Sequence, residues 1–435
     1  MADSATRALH FPTLAGIPLE AAFDAGRLTS DGGLPWLAEA DQALGLCAAL
    51  AACVPDWRHG PVRHALETLV RQRVSQIACG YEDQNDATSL RTDPLLKLVC
   101  GRLPLSGAEL ASQPTLTRLE QAAADRHTIT ALAEALVALY VRERSRTGAP
   151  THVVLDLDGT DDPAHGQQPE MAYHGYYGQH MYFPLLVFDG DTGQLICAVL
   201  RPGNVHGSRF VVLVLRRLVK RLRADSGFAI PRLYAWCEAQ RVDYTIGLIP
   251  NPRLEALAAP LLVEARAQST AQAGAKVRLL SEAAYQADSW PVQRRVVFKA
   301  EALAKGPNTR FVVTTRTDAP AAVYDWYVDR GEAENWIKDF KNALRADHLH
   351  DHRFWANAFR LLLHAAAYWL LDTLRRWLAA IVPDDAAIQL DTLRLRLLKI
   401  GGRVRELPGR IRLHLASSHP GEPFWIALAA LRARS

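Results

Sequence analysis

The 435 residues, 49% of them hydrophobic and 22% charged, suffice for two or three globular domains with ordinary cores. No apolar run approaches the ~20 residues of a membrane helix, and the start MADSATRALHFPTLAG lacks the basic-then-apolar order of a signal peptide, so a cytoplasmic protein is expected. A net charge of +4 permits a polyanionic partner without requiring one, and six scattered cysteines with no C-x-x-C pair signal neither a disulfide framework nor a zinc site.

Residues 31 to 145 read as helices broken by Pro and Gly turns: GGLPWLAEADQALGLCAALAA, then VRHALETLVRQRVSQIACG, then the long stretch from SQPTL to RERSR. Arg71, Arg73 and Lys97 are the candidates there for contact with a polyanion, against the alternative of ordinary surface charge. At THVVLDLDGTDD the pattern turns β-branched, and HMYFPLLVFD and GQLICAVLR follow, the last two joined by GDTG as a hairpin. FVVLVLRRLVKRLR reads as a helix with an ambiguous start, PRLYAWCEAQ as a helix and VDYTIGLI as a strand. RRVVFKAEAL and TRFVVTTRT, with a Gly-Pro-Asn turn between them, suggest a β-rich insertion. Helix returns from about residue 319, and FWANAFRLLLHAAAYWLLDTLRRWLAAI reads as a buried helix. From Asp391 onward nine Lys or Arg face three acids. That tail could track phosphates, or LRLRLLKIGGRVREL could be a solvated amphipathic helix.

Three acidic sites carry the candidate chemistry. In a strand over VVLDLDG, Asp156 and Asp158 point to one face, and a buried strand acid is costly unless paired or bound to a cation. Asp161 and Asp162, before Pro163, read as loop residues. Asp225, in RADSGF, stands among small residues and could equally cap a helix. In YVDRGEAENWIKDFK a regular helix places Arg330, Glu334 and Lys341 about 300°, 340° and 320° around from Tyr327, so the four share one stripe. Ala333, Trp336, Ile337 and Phe340 then face the core, and Glu332 and Asp339 face water. An all-oxygen carboxylate set suits Mg2+ or Mn2+ rather than zinc, and two such ions support in-line phosphoryl displacement. His165, His174, His180 and His206 are read as loop or core residues rather than metal ligands.

The spacing Tyr-x2-Arg-x3-Glu-x6-Lys, filled by Tyr327, Arg330, Glu334 and Lys341, resembles the DDE transposases of bacterial insertion sequences. With LTSDGGLPWLAEAD, RQRVSQIACGYEDQNDATSLRTDP, YHGYYGQHMYFPLLVFDG and LLKIGGRVR, nearly the whole chain resembles the group known as transposase DDE domain group 1. The resemblance implies an α/β protein with an RNase H-like core interrupted by a β-rich insertion, an all-helical N-terminal region and a basic helical C-terminal tail. It divides the chain into a helical, terminal-DNA-binding region 1–145, core 146–264, insertion 265–318, core 319–380 and basic region 381–435.

By the same resemblance Asp158, with Asp156 as alternative, Asp225 and Glu334 are the catalytic ligands of two Mg2+ or Mn2+ ions. Tyr327, Arg330 and Lys341 contact DNA at the cleaved end. The implied reaction is nicking at the ends of an insertion sequence followed by transfer of the freed 3′ hydroxyl into target DNA. The partners are double-stranded terminal repeats and target, with a homodimer on the DNA, in a bacterial cytoplasm. A DNA-binding remnant unable to cut is the alternative, and an unrelated nuclease or phosphatase a more remote one. One departure bears on this. The RNase H-like order needs a strand before Asp225, yet helical VLRRLVKRLR runs straight into ADSGF. A missing strand would misplace Asp225 and impair this copy, unless KRLRA leaves the helix as a short edge strand.

Overall fold

The computed structural model describes every residue except 1–8, 15–16, 147, 149, 151, 165, 208–210, 212–220, 304–305, 384–386 and 433–435. The chain forms two compact units, one of residues 1–122 with 366–435 and one of residues 123–365. No helix among the described residues is long and apolar enough to cross a membrane.

The first unit joins both chain ends. Its helices include Leu34–Leu44, Leu46–Ala52, Leu66–Ala78, Pro94–Val99 and Gln113–Ala122. Gly45, at φ 61°, splits the first pair in the left-handed conformation that glycine adopts without a Cβ penalty. Asp93 caps the fourth of these helices by accepting from the Leu95 and Leu96 N–H groups. The region is not all-helical. Leu9–Leu14 and Ile17–Ala21 pair as a hairpin, and Leu28–Thr29 pairs with Gly402–Leu407 from the C-terminal stretch. The basic tail departs from helix as well, because Gly402–Leu407 and Arg410–Leu415 form an antiparallel hairpin between Leu390–Leu398 and the helix Glu422–Arg432. Lys399 meets Asp31 at 2.7 Å, and Trp36 packs edge-on to Trp425 with ring centroids 5.5 Å apart.

Arg71, Arg73 and Lys97 do not serve as free surface cations. Arg73 is wholly buried and pairs with equally buried Glu120 at 2.9 Å, Arg71 pairs with Asp41 and Glu67, and Lys97 is 5% exposed. Five of the six cysteines are buried, and all six are free thiols.

The second unit is built on an eight-stranded mixed sheet. Its strands are β1 (Val154–Gly159), β2 (Leu185–Asp189), β3 (Leu195–Val199), β4 (Arg221–Ala224), β5 (Asp243–Leu248), β6 (Val277–Tyr285), β7 (Arg294–Leu303) and β8 (Gly306–Thr314). The spatial order is β6-β7-β8-β5-β4-β1-β2-β3. β1, β4 and β5 run parallel, whereas β2 is antiparallel to β1, β3 to β2 and β8 to β5. The strands of the expected insertion thus continue the central sheet, and its first residues end the helix Pro252–Ala271, which is capped by Asn251. HMYFPLLVFD is two strands rather than one. Gln179–Tyr182 belongs to a small sheet with Asp162–Pro163 and Ala172–His174, and the chain enters β2 after Pro184.

A strand does precede Asp225. Arg221–Ala224 is neither helical nor at an edge, since it lies hydrogen-bonded between β1 and β5 at the centre of the sheet. Most of the helix expected before it, residues 212–220, lies outside the described residues.

Candidate active site

Parallel pairing puts Leu222 beside Leu155, Arg223 beside Asp156 and Ala224 beside Leu157. One residue further on, Asp225 leaves β4 level with Asp158 on β1, at the carboxyl ends of neighbouring parallel strands. The ground for a misplaced Asp225 therefore disappears. Asp225 is held by its own turn: its Oδ1 accepts from the Gly227 N–H at 2.9 Å, capping the short 3-10 turn Ser226–Phe228.

The register depends on a buried arginine that sequence pattern alone does not single out. Arg223 donates from Nε to Asp156 Oδ1 at 2.7 Å and from Nη2 to Asp156 Oδ2 at 2.8 Å, with side chains 3% and 0% exposed. Its Nη1 also donates to the Trp326 carbonyl at 2.8 Å, and its guanidinium lies 5.0 Å from the Trp326 ring centroid. One side chain therefore ties β4 to β1 and both to the helix Pro320–Val328. A Cβ on Gly190 would come within 2.5 Å of Arg223 Nη2 and 2.7 Å of Asp156 Oδ2, so only glycine fits beside the pair. Asp156 is consumed here and is not free to act as the alternative first ligand.

Asp158 is 14% exposed, and its Oδ2 accepts from Arg330 Nη1 at 3.3 Å. Burial, and next the charge of Asp225, push its carboxyl up to about 7; Arg330 opposes this and Glu334 adds to it. Burial also raises Asp225, again against Arg330. Tyr327 completes this side. Its hydroxyl packs over Gly247 of β5, where a Cβ would stand 2.6 Å from it and 3.2 Å from the Ser226 nitrogen, and Arg330 lies 6.0 Å from its ring centroid.

The segment bearing these residues is not one regular helix. Pro320–Val328 is α-helical, Asp329–Gly331 a 3-10 turn, Glu332–Lys338 α-helical and Asp339–Ala343 a π-helical turn. Asp339, expected to face water, opens the π turn and is only 9% exposed. Ala333 and Phe340 do face the core, at 0% and 1% exposed, and Trp336 packs on Phe188 with centroids 5.5 Å apart. Glu334 is exposed, yet its charge still reaches Asp158. Lys341 sits apart from Arg330, donating to the Asp161 carbonyl at 2.9 Å and to its Oδ1 at 2.8 Å. Asp162 is no loop residue: it pairs with Tyr182, is 1% exposed, and both of its carboxylate oxygens lack a hydrogen-bond partner. Burial and then Asp347 raise it well above the carboxylate range. His174 packs against Tyr177 and Phe183, His180 against Tyr173, and His165 lies outside the described residues.

The arrangement thus gathers Asp158, Asp225, Arg330 and Tyr327 and leaves Glu334 at the rim. Among the described residues no three His, Cys, Asp or Glu side chains stand close enough together to hold a metal ion. The donor chemistry nonetheless fits a hard divalent ion: the acids are all-oxygen donors, and the charge of Asp225 raises the largely covered Asp158 against Arg330. Asp161, which holds Lys341, and Arg223, which holds Asp156, are marked by no motif and leave a trace in the sequence only as charges two or three residues from the motif acids.

The family model described as transposase DDE domain group 1 matches residues 11–434. No curated protein matches the chain. Among solved structures, the piggyBac transposase synaptic complex with hairpin DNA, determined by cryo-EM, is similar at 11% identity and a TM-score of 0.45, covering 85% of this chain and 80% of that one. With all but its extreme ends matched by the family model, the chain belongs to the transposase DDE domain group 1 family.

Proposed function

We propose that this protein nicks DNA at the ends of a bacterial insertion sequence and joins the freed 3′ hydroxyls to target DNA. Its core is RNase H-like: three antiparallel strands, β1 to β3, and then β4 and β5 parallel to β1, in the order β3-β2-β1-β4-β5, support that reading. The observation that carries it is the level placement of Asp158 and Asp225 at the ends of adjacent parallel strands, with Arg330 and Tyr327 beside them.

Asp158 and Asp225 would hold Mg2+ or Mn2+, with Glu334 contributing from the helix side. Two such ions, when bound, supply Lewis-acid polarisation of the phosphodiester and lower the pKa of the attacking hydroxyl. Arg330, once released from Asp158, would grip a phosphate beside the cleaved bond with its planar fork, and Tyr327 would pack against the strand end. Lys341 would serve a neighbouring phosphate in exchange for Asp161. The Arg223–Asp156 pair holds β1, β4 and the Tyr327 helix together throughout. Terminal inverted repeats as substrate and a DNA-bound homodimer rest on the family alone.

The test is nicking and strand transfer on a duplex carrying the repeats that flank the gene, in Mg2+ and in EDTA. Cutting that needs Mg2+ and disappears in Asp225→Asn is expected. The second reading, a DNA-binding remnant that cannot cut, is favoured by the exposure of Glu334. A Mg2+-independent gel shift without any nicking would select it.

A further inference from the structure

The hairpin of Gly402–Leu407 and Arg410–Leu415 turns at Pro408 and Gly409, where Gly409 has φ 72°. Its register sets Arg403 opposite His414, Arg405 opposite Arg412 and Leu407 opposite Arg410. Directly opposed residues share a face, and every second residue returns to it. Arg403, Arg405, Arg410, Arg412 and His414 therefore emerge on one side, and all five are exposed. The other side carries buried Gly402 and Val404 with partly covered Ile411 and Leu413. Glu406, the hairpin's one acid, lies on that other side. Its carboxylate accepts from Ser106 Oγ at 2.6 Å and from the Leu105 and Ser106 N–H groups at 3.0 and 3.2 Å. Among the described residues, no acid lies within ion-pair distance of Arg403, Arg405, Arg410 or Arg412.

Arg405 directly opposite Arg412 is a like-charge pair, which weakens a hairpin. Nothing among the described residues offsets it, which leaves both guanidinium groups exposed and open to an anionic partner. We propose that this arginine face binds the sugar–phosphate backbone of duplex DNA. Three features favour a long polyanion over a small one. Guanidinium groups recur about 7 Å apart along each strand, so neighbours reach different phosphates. Arginine's fork matches phosphate oxygens in pairs. A two-stranded ribbon has the width that a B-form major groove admits. Pairing of Gly402 and Arg403 with Leu28–Thr29 fixes the ribbon's base. The inference rests on the reading that this protein works on DNA, but it uses none of the residues assigned to cutting.

The experiment is fluorescence anisotropy of full-length protein on random-sequence duplex DNA without divalent metal, across a series of salt concentrations. In the double variant Arg405→Ala/Arg412→Ala the slope of log affinity against log salt should flatten by about 2, one unit for each phosphate that is no longer neutralised. Arg405→Glu should weaken binding further while the melting temperature holds or rises, because an acid then faces Arg412; that pairing of outcomes separates a weaker grip on DNA from an unfolded protein. Wild-type slope and affinity in both variants would overturn the proposal. If Asp225→Asn still abolished nicking in that case, the proposed reaction would stand. Absence of duplex binding by the wild type would overturn both, and dependence on the arginines with duplex RNA alone would overturn the assignment to DNA.

Discussion

The centre of the eight-stranded sheet and the C-terminal hairpin use arginine in opposite ways. Arg223 is 3% exposed and spends its donors on Asp156 and the Trp326 carbonyl; Arg405 and Arg412 are exposed, face each other and meet no acid among the described residues. A buried arginine with its donors answered organises the chain around it, whereas an exposed one left opposite its like keeps its charge for a ligand. The arginine of the candidate site stands between the two. Arg330 is paired with Asp158, but at 3.3 Å and beside a carboxyl that a cation could claim.

The sharpest way to break this division is at the acids. Asp225→Asn or Glu334→Gln should reduce nicking by more than the roughly 10–100-fold typical of losing a residue that only orients a metal ligand. Single-turnover cleavage in Mg2+ measures it. If Glu334→Gln cut like wild type, the exposed Glu334 would be a bystander and the site a two-carboxylate one. Next in size is the organising pair. Arg223→Ala leaves Asp156 buried and uncompensated, a loss of about 3–5 kcal/mol, most of which Asp156→Ala/Arg223→Ala should recover. Urea denaturation of wild type, the two single variants Arg223→Ala and Asp156→Ala, and the double variant is the measurement. Additive losses would mean that the two residues do not act as a unit.

That pair also explains what could be read in the sequence and what could not. Most helices, the strand ending at Asp158, and the spacing from Tyr327 to Lys341 announce themselves through period, turn residues and motif. β4 does not. Leu215, Leu218 and Leu222 recur at helical spacing, and Arg223 looks like a solvent residue because its counter-charge, Asp156, is 67 residues away. The hairpin at 402–415 was legible in principle: RVREL and RIRLHL alternate around Pro-Gly, the signature of two strands and a turn, but a helical run immediately precedes them. The π turn at Asp339 leaves no mark at all, since a constant 100° step has no place for it.

The raised carboxyl of Asp158, which Arg330 only partly offsets, gives a pH signature. Its folded-state pKa of about 7 lies above the ordinary 3.8, so the folded protein keeps a proton that the unfolded chain has released. The stability this confers is fully present below pH 3.8 and is lost as pH rises through about 7. In EDTA, stability should therefore decline across that window, by at most about 1.4 kcal/mol per pH unit for one proton. Mg2+ should reduce the decline near pH 7, where the ionised form gains a partner. Denaturation at pH 5, 6 and 7 tests this, and a decline unchanged in Asp158→Asn would assign the proton elsewhere.

The smallest effect carries the opposite sign and bears most directly on the comparison. At the sheet centre, removing an arginine strips a buried acid of its partner; on the hairpin it removes a repulsion. Arg412→Thr keeps β propensity, ends the confrontation with Arg405 and should raise stability by about 0.2–1 kcal/mol, while the same substitution at Arg223 lowers it several-fold more. The gain should shrink as salt rises, because both guanidinium groups are exposed and screened, whereas the loss at Arg223 should barely depend on salt. Thermal melts of both variants at low and high ionic strength read the two signs and the two salt responses together. If Arg412→Thr destabilised the protein at every salt concentration, the arginine face would be holding the fold rather than waiting for a partner.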